Sequence, residues 1–321
     1  MNPDFNRGFL LYKYPNKSFL FFILTYQNYN YNLKNILEYI LFISLSFFFR
    51  IIGLEFSRKF SSAIAFFFYY IVPIRKDVVL DNLKHAFPEF SKNKIKEIAI
   101  GSYKSFCLTL AEILYMPWLS DDKLKQIMIC ENRELIVSKF DEGNGVILLS
   151  AHFGNWEYLA TSVAFQINKK FYVVVKPQRN PFVNDWMNKY RTKWTNEIVP
   201  LGVSIRNVFS VLLNKGIVAM VADQRGPKES IKLEFFGRMT SVYTGPAVLS
   251  LKTNSPIIYG ISIRQKDLNY KVELFEVDRN NLPDNNEEKI KVLTKRMLNN
   301  LEEVIRKNPE QWLWMHKRWK H

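Results

Sequence analysis

The spacing of apolar positions changes along this chain, and each change marks a different kind of segment. Residues 39–49 and 60–74 carry no charge and are dense in Phe, Ile and Leu, with Arg50 ending the first run and Arg75-Lys76 closing the second. Neither run alone reaches the roughly 18–20 residues of an uninterrupted spanning helix. Such runs suit one membrane anchor followed by an interfacial helix, or two core helices of a globular domain; the scarcity of polar positions at helical spacing favours the membrane. Residues 36–76 are therefore read as membrane-anchoring and interfacial. The stretch before them, residues 1–35, holds a short apolar run at Phe19–Leu24 and a Tyr/Asn tract. Lys13 and Lys17 precede that run as in a signal peptide, but no alanine occurs before Ala63 to make a cleavage site. It is read as an extension of uncertain order.

From Asp77 onward helical and strand patterns alternate. Ser91 caps a long amphipathic helix running to Leu114, and Gly145–Ser150 is a short apolar run of the kind buried on both faces of a sheet. Helices follow at 157–166, 181–194, 204–214 and 243–252. Strands are predicted at 172–175, 217–222, 257–264 and 270–277, and a long helix at 286–307. Strands alternating with helices predict an α/β fold, a mostly parallel central sheet flanked by helices, as one domain over residues 77–321.

Composition narrows the partners. The chain has 321 residues, 48% hydrophobic and 23% charged, which excludes disordered, collagenous and coiled-coil classes. Two cysteines support neither a disulfide scaffold nor a four-thiolate metal site. The net charge of +15 and 15% aromatic content fit anionic partners such as lipid headgroups, phosphorylated sugars or an acidic carrier protein. Nucleic acid is disfavoured, because the basic residues are spread along the chain instead of clustered.

Among four histidines, only His152 directly follows a predicted central strand. Ligand sites in open α/β folds lie at the carboxyl ends of strands, and an imidazole there is placed to act as a general base. Glu157, five residues on, could meet the imidazole if the Phe-Gly-Asn-Trp between them turns back, with Gly154 supplying the turn. Ser150 raises a rival reading as a nucleophile on the same strand face, but no Gly-x-Ser-x-Gly elbow surrounds it. Asp223-Gln224-Arg225 follows another predicted strand, and Arg225, Lys228 and Arg238 suit phosphate or an acidic protein surface. Thr244-Gly245-Pro246 opens a helix whose free N–H groups suit an anion or oxyanion. There is no phosphate loop and no zinc spacing. The tail from Pro309 to Lys320 holds three Trp among basic residues, read equally as packing on the domain edge and as a headgroup patch.

Several segments together resemble the late acyltransferases of lipid A biosynthesis: Asn82-Leu-Lys-His-Ala-Phe-Pro88, His152-Phe-Gly-Asn-Trp-Glu157, Ala222-Asp-Gln-Arg-Gly-Pro-Lys228, Phe235-Phe-Gly237, Thr244-Gly-Pro-Ala247 and Gln311-Trp-Leu-Trp-Met-His-Lys-Arg-Trp319. In order they cover residues 54–319. The resemblance implies a glycerolipid-acyltransferase-like fold at the inner membrane with the site facing the cytoplasm. It implies transfer of a fatty acyl chain from an acyl-carrier-protein or CoA thioester to a hydroxyl of a lipid A precursor, without cofactor or metal. His152 matches the expected base and Glu157 the supporting acid. Arg191 and Asp223 match further essential positions, and Asn155, Gln224 and Arg225 are candidates for substrate binding. Another membrane lipid, a lysophospholipid or aminolipid, remains the alternative acceptor.

Overall fold

The computed structural model describes residues 32–202 and 205–320. The extension expected over residues 1–35 lies outside the described residues as far as residue 31. The two apolar runs join in one 38-residue helix, α1 (Leu33–Tyr70), that breaks sharply at Gly53 (φ 76°, ψ 166°). Only glycine enters that region cheaply. The break folds the helix on itself: Ser57 donates to the Phe49 carbonyl, and the Phe48 and Phe60 rings lie 5.6 Å apart. In a straight helix, twelve residues would be separated by about 18 Å.

Helix α2 (Lys76–Ala86) and the long α3 (Lys92–Tyr115) follow. Ser91 caps α3 by accepting from Lys94 N–H. The α/β unit then runs α4 (Asp121–Ile127), β1 (Met128–Cys130), α5 (Glu134–Asp141), β2 (Val146–Ser150), α6 (Trp156–Ile167), β3 (Phe171–Val175), α7 (Pro181–Arg191), β4 (Glu197–Pro200), α8 (Ile205–Leu213) and β5 (Ile217–Val221). A small antiparallel hairpin, β6 (Lys232–Phe235) and β7 (Arg238–Ser241), precedes α9 (Gly245–Thr253). Strands β8 (Ile257–Arg264) and β9 (Tyr270–Glu276) and helix α10 (Asn286–Lys307) complete the chain.

The main sheet has seven strands in the order β1-β9-β8-β2-β5-β3-β4. The run from β8 to β4 is parallel, while β9 returns antiparallel to β8 through a short hairpin. Strand β2 is buried along its whole length, as its unbroken Val-Ile-Leu-Leu predicts for a central strand covered on both faces. The second arm of α1 shares the main core: Ala65 and Tyr69 pack with α3, β2, β8 and α10 residues. Register aligns the two central strand ends, with Ser150 at the end of β2 opposite Val221 at the end of β5.

Candidate active site

His152 and Asp223 each lie two residues beyond a paired strand end, since Ser150 and Val221 are in register. Adjacent strands run about 4.8 Å apart, so two side chains carried equally far past such ends meet. The imidazole Nδ1 donates to Asp223 Oδ1 at 2.7 Å, and the His152 backbone N–H donates to Oδ2 at 3.0 Å. Trp312 adds an indole N–H to Oδ2 at 2.7 Å. An ionised carboxylate only accepts, so Nδ1 carries the proton and Nε2 keeps its lone pair. Gln224 Nε2 lies 3.4 Å from that nitrogen.

The turn holding His152 is held against β8. Gly154 has φ +55°, and a Cβ there would fall 1.8 Å from the Ser262 carbonyl oxygen; no side chain fits. Asn155 N–H donates to Ser262 Oγ, which itself donates to the Phe153 carbonyl. From the other side the C-terminal tail pairs with the turn, Leu313 N–H donating to the His152 carbonyl and Gly154 N–H to that of Gln311. Trp312, Trp314 and Trp319 are all buried. The tail therefore packs into the domain and is no headgroup patch. Asn82, in α2, donates to the Trp314 and His316 carbonyls and fixes the tail in place.

Electrostatics follow from this geometry. Burial pulls the His152 pKa down, but the charge and hydrogen bond of Asp223, helped by the charge of Glu157, outweigh it and leave the imidazole above its ordinary value. Asp223 is pushed up by burial yet ends below the usual carboxylate range, through the His152 charge and the three hydrogen bonds it accepts. Burial lowers His316 to about 4; its neutral Nε2 accepts the Arg225 backbone N–H at 3.1 Å. Sequence order did not single out His316 or Trp312, because only the fold brings the tail to the strand ends.

Glu157 does not meet the imidazole. Both its oxygens are taken by Arg191, Nη2 at 2.6 Å and Nε at 2.8 Å. The pair bridges α6 and α7 and is largely buried, and Glu157 raises the Arg191 pKa against its burial. The expected His–Glu contact is thus a His–Asp contact, with a separate Glu–Arg pair beside it. Asn155 is fully buried and caps α6: Oδ1 accepts from Tyr158 N–H, and Nδ2 donates to Glu112. It lies beneath the site as scaffold, away from a substrate-facing position. Ser150 Oγ donates to the Gly260 carbonyl, so it is no nucleophile directed at His152. Arg225 turns one guanidinium nitrogen, Nη1, into the interior without a partner.

Two hollows flank the pair. A small apolar hollow of about 20 Å³, room for about one water, borders Asp223 and is lined by Leu149, Tyr259, Met297, Leu298 and Leu301. A smaller one of about 10 Å³ borders His152 and Trp156, against Phe106 and Leu313. His152 keeps 22% of its side chain exposed, against 2% for Asp223, so the imidazole meets solvent where the carboxylate does not. Among the described residues no three His, Cys, Asp or Glu side chains cluster as a metal site requires.

The comparisons with known proteins agree in direction. A family model described as bacterial lipid A biosynthesis acyltransferase matches residues 30–321. The chain is 23% identical over 164 residues to a phosphatidylinositol mannoside acyltransferase of Mycobacterium tuberculosis strain H37Rv, covering 49% of this chain and 52% of that one. It is 21% identical over 249 residues to the lipid A biosynthesis lauroyltransferase of Escherichia coli K12, covering 77% and 79%. The match thus spans about half the length of the mycobacterial relative.

Proposed function

Since the chain belongs to the bacterial lipid A biosynthesis acyltransferase family, we propose that it moves a fatty acyl chain from an acyl-carrier-protein or CoA thioester to a hydroxyl of a lipid A precursor. The work is done at the cytoplasmic face of the inner membrane. The observation that carries this reading is the His152–Asp223 pair at the ends of β2 and β5, with the imidazole partly exposed and an apolar hollow bordering its carboxylate partner.

In this mechanism Asp223 holds Nδ1–H and so fixes the tautomer that leaves Nε2 basic. Nε2 takes the proton of the acceptor hydroxyl as its oxygen attacks the thioester carbonyl. The tetrahedral intermediate collapses by breaking the C–S bond, and the imidazolium returns the proton to the departing sulfur. The products are an ester and a free thiol, so atoms balance without metal, redox cofactor or acyl-enzyme. The Gln224 amide is the side-chain donor beside Nε2 and stabilises the developing oxyanion. The Glu157 charge favours the imidazolium, and Arg191 holds that carboxylate in place. The acyl chain is assigned to the apolar hollow between β2, β8 and α10, which widens to admit it.

The mycobacterial relatives favour a second acceptor. Their names specify a phosphatidylinositol mannoside, so another anionic membrane lipid remains an acceptor for the same chemistry. The test is a transfer assay with radiolabelled acyl-carrier protein, offering a Kdo-bearing lipid A precursor and a lysophospholipid side by side. Label is expected in the lipid A precursor, and His152→Ala should lower transfer by about a thousandfold or more while membrane association is kept. Label in the lysophospholipid would move the acceptor. No transfer with intact donor would sink the reading.

A further inference from the structure

The inner face of α1 is occupied by the folded domain from one end of the first arm to the other. At its start the Asn35 carbonyl accepts from Asn180 Nδ2, and Glu38 pairs with Arg179 at 2.9 Å. One turn on, the Phe42 ring sits edge-on to Trp186 at 4.8 Å. Ser46 then donates to the Leu114 carbonyl, and Phe49 is buried against Ala111 and Leu114. These positions recur every three or four residues, which is one helical face. Their partners lie on α7 at one end and α3 at the other, two elements of the same body.

The opposite face is apolar and exposed. On the first arm Leu37, Leu41 and Ile51 are 57%, 72% and 69% exposed, and on the second Phe56, Phe60 and Phe67 continue the pattern beyond the Gly53 break. An apolar surface of this extent on both arms calls for an apolar partner.

By length and composition α1 could cross a membrane. Its packing says otherwise. The first arm covers about 30 Å, the thickness of the hydrocarbon core. A crossing along it would carry the N-terminal end of α7, with Arg179 and the Asn180 cap, to the far side, against the high cost of charged groups inside hydrocarbon. We infer that α1 is monotopic: it lies along one leaflet, outer apolar face in the boundary between headgroups and acyl chains, and does not cross. The inference deepens the acyltransferase reading and rests on it for placing the site at a lipid surface.

The occupant is a bilayer leaflet containing anionic lipid. Lys34, Arg50 and Lys59 are exposed along the helix, with Glu55 their lone exposed acidic neighbour on α1. Arg50 lies over the exposed Trp118 ring at 4.3 Å. Such a cation–aromatic pair suits the headgroup level, where one end of each side chain is apolar and the other wet. Arg58, buried on the second arm, pairs with Glu112, which also accepts from Asn155 below the His152 turn. The depth of α1 in the leaflet therefore sets the depth of the site.

Topology is tested on the full chain by labelling with a membrane-impermeant maleimide, in spheroplasts and in inverted vesicles. Lys34→Cys and Lys59→Cys are compared with Lys252→Cys, an exposed position on α9; native Cys107 and Cys130 are buried. All three should label from one side. Labelling of Lys34→Cys from the side opposite Lys252→Cys would overturn the inference. In a second arm, Leu41→Glu and Phe56→Glu, both on the exposed face, should each lower binding to phosphatidylglycerol-containing vesicles about tenfold in flotation. Unchanged flotation would overturn it too. Acyl transfer is read on the same samples. Same-side labelling without transfer removes the acyltransferase reading alone, and opposite-side labelling with full transfer removes this inference alone.

Discussion

At the scale of single residues, Asp223 is the position whose replacement is most informative. The carboxylate orients His152 and raises its pKa. On the proposed mechanism the imidazole works when deprotonated, so activity should fall as pH drops through a midpoint above the ordinary imidazole value of 6.5. Asp223→Asn removes the charge that raises that midpoint. The acid limb of kcat/KM should move to lower pH, and the plateau should fall about 10²–10⁴-fold as orientation and tautomer control are lost. A full pH–rate profile of both proteins checks this; an unshifted acid limb would mean that Asp223 does not act through His152. His152 itself was legible in the sequence, because an apolar run predicts a strand and the residue just past it faces the site. Its partner was not. Glu157 is near in sequence, but the turn at Gly154 and the cap at Asn155 start α6 in a direction that hands Glu157 to Arg191.

At the scale of elements, α3 joins the N-terminal helix to the His152 turn through one buried carboxylate. Glu112 is fully buried and meets Arg58 from α1, Asn155 from the cap of α6 and Tyr270 from β9. Breaking one side of a buried ion pair leaves an uncompensated charge, which costs about 3–5 kcal/mol. Glu112→Gln should therefore destabilise the protein by about that much in denaturant unfolding, well beyond the effect of Glu97→Gln on the exposed face of the same helix. Equal losses would deny the network its role. The long elements were legible: α10 and β8 fall at their predicted bounds, since strong periodicity and a capping Asn285 mark them. The short ones, β1, β4 and the β6–β7 hairpin, span three or four residues each. That is too few for a period to register, and they exist through their pairing partners. The break of α1 likewise has a local cause in Gly53, but its angle is set by what the two arms pack on.

For the molecule as a whole, β2, β8 and α10 enclose an apolar hollow that ends at Asp223. No single segment contains it. If the acyl chain lies there, Leu298→Trp should shift donor preference toward shorter acyl chains while leaving the His152 pH profile in place. Competition between donors of graded chain length measures this; an unchanged length preference would locate the chain elsewhere. The net charge of +15 belongs to this scale as well, because a long-range field favours anionic partners without specifying a contact.

The alternation of elements, the parallel sheet, the apolar start and the placing of His152 and Asp223 past strand ends are all written in local pattern. Periodicity and capping act over a few residues, so the chain alone carries them. Which groups meet is a matter of three dimensions. The register of Ser150 against Val221 pairs His152 with Asp223 across 71 residues, and the return of the tail brings Trp312 to the same carboxylate across 89. Packing along α7 and α3 turns an apolar helix long enough to span a membrane into one held against its own domain. Contacts of that kind depend on chain closure and sheet order, which no local pattern encodes.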